Sequence, residues 1–218
     1  MYLQGWREVT EAWREGYTRK PWIRNPKRRL YHDYFYFHFY NWPTPKKRYG
    51  CYICYQVEGT RNHSRMPLLR GVFENEFYPS EKRHAELCFL SWFDTVKTSL
   101  DMKLSPGEKC HVTWYTSWSP CFECVDEVVE FLRSHRNVEL SIFAARLYHS
   151  KRWEYRQGLR KLLDAGVQLA IMSYDDFEDC VNNFVSHKGR AFCPWDDLDE
   201  NSKYLSNMLE DILQNQEE

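Results

Sequence analysis

Apolar residues in KRHAELCFLSWFDTVKTSL, residues 82–100, fall at 85, 87–90, 92, 93 and 96, a spacing that predicts a mostly buried helix. SPG at 105–107 breaks it. A regular alternation follows. KCHVTWYTS reads as a strand, CFECVDEVVEFLRSH as a helix opened by Pro120, and NVELSIFAARL as a strand. WEYRQGLRKLLDAG reads as a helix ending at Gly166, VQLAIMSY as a strand and DDFEDCVNNFVSHKG as a helix. A last amphipathic helix carries Leu205, Met208, Leu209 and Leu213. Strand–helix–strand connections are right-handed crossovers between parallel strands, so this half predicts an α/β fold, a mixed sheet with helices on both faces.

The first half is less regular. CYICYQVE is a strand rich in β-branched and aromatic residues, residues 59–67 read as a polar loop, and LLRGVFEN (68–75) is its hairpin partner. LYHDYFYFHFYN (30–41) reads by composition as a strand, although periodicity alone leaves a buried helix open. Residues 1–29 form a peripheral, basic, tryptophan-containing extension. The seven-residue spacing of Trp6 and Trp13 would put both on one face of a short helix.

Charge changes this picture more than composition does. At 218 residues the chain is long enough for one large domain with a full core. Its net charge of −1 hides eleven Lys/Arg against four Asp/Glu in residues 1–50, a pattern that fits either a basic face for a polyanion or a solvated basic tail. No apolar run is long enough to span a membrane, and MYLQGWREVTEAWREGY lacks the apolar centre of a secretory signal. The expected compartment is the cytosol or nucleus, where eight cysteines stay reduced.

Two Cys-x-x-Cys pairs compete for chemistry. In CYIC, Cys51 and Cys54 lie on a strand, where residues three apart face opposite sides, so they do not share an ion. In SWSPCFEC, Cys121 and Cys124 open a helix and share a face, and a helix N-terminus favours thiolates. Two thiolates leave zinc short of ligands. HAE, at the start of the helix after residue 82, supplies His84, and the two helix starts can converge on one sheet edge. His84, Cys121 and Cys124 then make a three-ligand zinc site with room for water, and Glu86 reaches that water. H-x-E … P-C-x-x-C is the established signature of zinc-dependent base deaminases.

YICYQVEG, RGVFEN, RHAELCFLSWF, VTWYTSWSPCFEC, LSIFAARLY, AGVQLAIMSYDDF and FVSHKGRAFCPWDDLDENS together resemble the AID/APOBEC polynucleotide cytidine deaminases, in particular single-domain members of the antiviral group-three branch. The resemblance covers about residues 30–218. It implies a five-stranded mixed sheet flanked by about six helices, with 31–40 a helix, and one zinc ion. It implies hydrolytic deamination of cytosine to uracil in single-stranded DNA, with Glu86 moving the proton. Carried over by position, Trp118 is the pocket wall, Asn75 the sugar contact and Tyr148 the aromatic on the target base. Arg48 joins them as a substrate contact, and Arg146, Lys151 and Arg152 are further cations interleaved with aromatics. RNA and a viral antagonist such as a lentiviral Vif are implied partners, no membrane is, and the protein is expected to be a monomer or weak oligomer. Two departures stand out: a longer interval between Glu86 and Pro120, expected to lengthen a loop near residues 94–108, and Cys51 where many relatives carry threonine. The rival readings are a zinc-stabilised RNA- or protein-binding module with little catalysis, and a free-nucleoside deaminase.

Overall fold

The computed structural model describes residues 25–44, 48, 50–61, 64–78, 81–105 and 107–215. The proposed Trp6–Trp13 helix therefore lies outside the described residues. The elements run β1 (Leu30–Tyr31), α1 (His32–Phe39), β2 (Tyr52–Arg61), β3 (Ser64–Glu74), β4 (Glu76–Tyr78), β5 (Glu81–Arg83) and α2 (Ala85–Asp101). They continue with β6 (Cys110–Thr116), α3 (Phe122–Ser134), β7 (Val138–Ala144), α4 (Trp153–Asp164), β8 (Gln168–Ile171), α5 (Tyr174–Phe184), β9 (Val185–Ser186) and α6 (Leu198–Gln214).

Alternating burial builds the central sheet. In β6 every second residue, Cys110, Val112, Trp114 and Thr116, is fully buried, and β7 repeats the pattern from Val138 to Ala144. The strand order is β3-β2-β6-β7-β8. β2 pairs antiparallel with both β3 and β6, whereas β6, β7 and β8 run parallel. The sheet is thus mixed, as expected, with the meander in the first half and the crossovers in the second.

Both faces are covered. Ile53, Tyr55 and Val57 of β2 point to one face, where they meet α2, α3, α4 and α6 through Phe89, Val125, Leu162 and Leu205. Tyr52 and Cys54 point to the other, toward Phe35 and Phe39 of α1 and Phe177, Cys180 and Val181 of α5. Rings fill the first core: Phe89 packs edge-on against Trp114 at 5.0 Å and against Tyr55 at 5.1 Å. α4 lies close on α3, since a Cβ at Gly158 would sit 3.2 Å from Val125 Cγ2. Gly166 adopts φ +87° and closes α4, its amide and that of Val167 donating to the Leu163 and Leu162 carbonyls.

Three expectations change. Residues 32–39 are a helix, not a strand: burial falls on Phe35 and Phe39, four apart, and only Leu30 and Tyr31 are extended, paired parallel with Val185 and Ser186. The implied helix from the resemblance holds, and composition misled because aromatic residues suit either element. The polar stretch 59–67 is not a loop; the β2–β3 ladder runs through it to Arg61↔Ser64, across a register shift at Val57/Glu58. The stretch 94–108, expected to lengthen a loop, is helical in its first part, because α2 continues to Asp101 and buries Leu100.

Candidate active site

The parallel strands β6 and β7 end side by side, and their following loops are tied together. Ala145 N–H donates to the Thr116 carbonyl, Ser119 N–H to the Arg146 carbonyl, and Tyr148 N–H to Ser119 Oγ. Clefts in open α/β sheets form at such carboxyl ends. Here the loops, the start of α2 and the start of α3 enclose a pocket of about 310 Å³ whose wall includes Cys51, Asn75, His84, Glu86, Trp118 and Tyr148.

His84 is the N-cap residue of α2 and Cys121 that of α3, so both stand at the positive ends of helix dipoles. His84 Nδ1 lies 3.1 Å from Cys124 Sγ and 3.3 Å from Cys121 Sγ. One donor atom from each of the three falls within 4.8 Å of the others, and the two thiols are buried. Cys124 donating to Cys121 holds the Cys121 thiol down at about 4, with His84 adding to the effect, while Cys124 keeps the shared proton and is pushed up. The proton bond to Cys121 likewise raises His84. A divalent cation displaces protons held this way. One nitrogen and two sulfurs from two rigid helix starts suit zinc in its three-protein-ligand form. The three residues are positioned to hold a single metal ion.

Glu86 is 3% exposed, in the first turn of α2, and its Oε2 has no hydrogen-bond partner among the described residues. Burial raises its carboxyl to about 7. Glu86 thus brings an unpartnered buried carboxylate oxygen to the pocket beside three metal-type donors.

Each remaining expected residue has a definite place. Trp118 forms the pocket wall, its indole N–H donating to the Arg48 carbonyl at 3.1 Å and its ring packing edge-on against Tyr148 at 5.6 Å. Tyr148 lines the same pocket. Asn75 also lines it, but Asn75 Oδ1 accepts from Ala85 N–H at 2.9 Å, so the side chain caps the ligand helix. Arg48 is not among the pocket-lining residues; its guanidinium lies over Phe37 and Tyr40, at 4.8 and 5.0 Å from the ring centroids. Arg146 is not a surface cation. It is fully buried, with hydrogen bonds to the Ser117, Tyr40 and His38 carbonyls. Lys151, Arg152 and Trp153 are exposed as expected, whereas Lys46, Lys47 and Tyr49 lie outside the described residues.

The two Cys-x-x-Cys pairs separate as strand geometry predicts. Cys54 is wholly buried in the α1–α5 core, and Cys51, just before β2, lines the pocket without joining the metal-type cluster. Sequence reasoning missed Glu76, Arg83 and Ser119 as pocket residues. The only signal for Ser119 was its place between Trp118 and Cys121; Glu76 and Arg83 arrive through the short β4–β5 pairing, which no pattern announced.

The sequence profile of the family described as "APOBEC3, cytosine deaminase domain" matches residues 28–213. The chain belongs to the APOBEC3 cytosine deaminase family. It is 45% identical over 203 residues to the DNA dC->dU-editing enzyme APOBEC-3Ca of Felis catus, covering 93% of this chain and 99% of that one. It is 41% identical over 179 residues to the DNA dC->dU-editing enzyme APOBEC-3 of Mus musculus, and 43% over 185 residues to the APOBEC-3G enzyme of Papio anubis. It spans 39% and 46% of those two longer relatives. The family's five-stranded mixed sheet with six helices is the fold found among the described residues.

Proposed function

We propose that this chain deaminates cytosine to uracil in single-stranded DNA, as a zinc-dependent hydrolase of innate defence against retroviruses and retroelements. The observation that carries the reading is the cluster of His84, Cys121 and Cys124 at a pocket that His84, Cys121 and Glu86 line together, with Glu86 Oε2 unpartnered among the described residues and Trp118 in the wall. The printed names of the relatives, DNA dC->dU-editing enzymes, support the substrate and the reaction. Zinc held by the three residues supplies Lewis acidity, lowering the pKa of a bound water toward about 7.

The chain's own residues do the rest. The target base leaves its stack and enters the pocket, a step open to a single strand at little expense in pairing. Trp118 and Tyr148 present an edge-to-face corner that holds the base by its ring. Glu86, which lines the pocket, takes the proton of the attacking water, delivers it to the ring nitrogen, and assists the departure of ammonia. Asn75 fixes the start of α2, and with it His84 and Glu86, and its amide faces the sugar. Arg48 acts behind Trp118, by holding the indole through its carbonyl.

The test is Glu86→Gln in the zinc-loaded protein. Uracil formation in a cytosine-containing oligonucleotide disappears while one zinc per chain is retained. Undiminished turnover in this variant overturns the role of Glu86. A wild-type protein that binds zinc and single strands yet forms no uracil supports the binding-module reading instead, and turnover of free cytidine supports the nucleoside reading.

The finer assignments rest on the family resemblance. Residues 30–218 act as the deaminase domain and 1–29 as a basic extension that adds RNA affinity. A lentiviral Vif-type antagonist is a partner, and the chain is a monomer or weak oligomer in the cytosol or nucleus. No described helix is long and apolar enough to cross a membrane.

A further inference from the structure

Three exposed large apolar side chains lie together on α1 and its N-terminal flank: Tyr31 at 76%, Tyr34 at 54% and Phe37 at 49%. Sequence spacing explains the division of α1. Phe35 and Phe39 are wholly buried and stack on each other at 4.6 Å, which leaves Tyr31, Tyr34 and Phe37, three apart, along the outer face. Rings link this face end to end. Tyr31 and Tyr34 centroids are 6.2 Å apart, Tyr34 and His38 6.1 Å, and His38 and Phe37 4.9 Å. The Arg48 guanidinium then covers Phe37, and the Arg48 carbonyl holds the Trp118 indole. The face is therefore continuous with the pocket wall.

A cluster of exposed aromatic rings needs a reason that a single one does not. Charge selects among occupants. α1 carries one acidic residue, Asp33, and Lys27, Arg28 and Arg29, exposed just ahead of it, supply positive charge at its start. The half-buried Arg48 side chain adds a cation beside the rings, its guanidinium 4.8 Å from the Phe37 centroid and 5.0 Å from that of Tyr40. Rings interleaved with a cation are the composition of a single-strand platform, on which bases stack while phosphates meet the charge. From Tyr31 to Phe37 the helix rises about 9 Å, room for two to three bases at about 3.4 Å each.

We propose that the outer face of α1, with Arg48 at its inner end, is a stacking track for single-stranded DNA flanking the deaminated nucleotide. This rests on the deaminase reading for its substrate. The track lengthens the bound segment and leaves the chemistry at Glu86 unchanged.

The experiment uses the full zinc-loaded chain and fluorescent oligodeoxynucleotides with one cytosine, one of about six and one of about twenty nucleotides, bracketing single-strand site sizes. Tyr31→Ser/Tyr34→Ser/Phe37→Ser binds the long oligonucleotide about tenfold more weakly, binds the short one as wild type does, and keeps kcat. Tyr34→Trp, which preserves a stacking ring, keeps wild-type affinity and controls for folding. 5-Iodouracil placed in the flank crosslinks to Tyr31, Tyr34 or Phe37. Equal weakening on both lengths, no weakening, or crosslinks confined to other elements overturns the track. So does a wild-type dimer that the triple variant dissociates with DNA affinity intact, which assigns the face to a second copy. If no uracil forms but the length-dependent loss persists, the deaminase reading fails and the track stands.

Discussion

The Arg146 guanidinium lies 4.1 Å from the centre of the Trp118 ring, wholly buried behind the pocket wall. Its three hydrogen-bond acceptors are backbone carbonyls from the end of α1 and from Ser117, so one cation joins α1, the loop after β6 and the loop after β7. Burial, and then the neighbouring Arg48, push Arg146 down to about 9. A buried cation with no carboxylate partner in these bonds is held only while all three carbonyls are in place.

Arg146→Gln leaves buried carbonyls without donors and frees the indole. Each charged hydrogen bond lost costs about 1.5–3 kcal/mol, and Tm falls by several degrees. KM for single-stranded DNA rises more than kcat falls, because the wall that holds the base is loosened while His84 and Glu86 stay fixed. Arg146→Lys, which reaches fewer carbonyls, lies between wild type and Gln. Steady-state kinetics with a thermal melt decide this; an unchanged KM rejects the clamp.

Asn75 holds the helix that carries the ligand. Asn75→Ala costs about 1 kcal/mol through the lost cap and speeds zinc loss to a chelator, since Ala85 N–H next to His84 loses its acceptor. Asn75→Asp restores both. A contact to substrate alone predicts slower deamination with zinc retention unchanged, so chelator-release kinetics separate the two roles.

Zinc joins α2 to α3, and the two cysteine pairs answer differently to substitution. Cys121→Ser and Cys124→Ser lose the ion and melt at lower temperature, as wild type does after chelation, and added zinc restores only the chelated wild type. Cys54→Ser destabilises the α1–α5 core, where Cys54 is 0% exposed, yet retains one zinc per chain. Metal content by elemental analysis checks both.

His38 gives the fold an acid-sensitive point. Burial, then Arg146 and Arg48, lower it to about 4, against a partial offset from Glu74. Between the ordinary value of 6.5 and about 4 the unfolded chain binds a proton that the folded one refuses, so stability is full above 6.5 and falls as pH drops through that window. The ring is half-buried, and solvent screening makes the effect smaller than the shift alone implies. His38→Phe keeps the packing on Tyr52, 4.4 Å away, and removes the proton. Urea melts at about pH 5 and about pH 7.5 show a smaller pH difference in the variant; equal differences reject the assignment.

The sequence disclosed the chemistry more fully than the scaffold around it. Helical spacing placed Cys121 and Cys124 on one face, and strand alternation removed Cys54, because both rules are local and survive any tertiary context. Helix 32–39 was illegible from composition, since its rings follow a burial pattern set by the sheet beneath it. Arg146 read as a DNA-facing cation because charge and neighbours do not reveal depth: the carbonyls that bury it come from residues 29 and more than a hundred positions away. Asn75 as a cap was equally hidden, for its acceptor oxygen reaches an amide ten residues on, across the β4–β5 pairing.

Forty residues separate His84 from Cys124. A ribosome that delivers the chain in order exposes the nitrogen donor long before the sulfur donors, with α2 and β6 emerging in between. During synthesis the Cys-x-x-Cys pair can gather a loose ion by itself, but three-point capture waits until both helix starts have docked on the finished sheet edge. Three-ligand occupancy, unlike a loosely held ion, thus serves as a birth certificate for the molecule, issued only after the two helix starts have met.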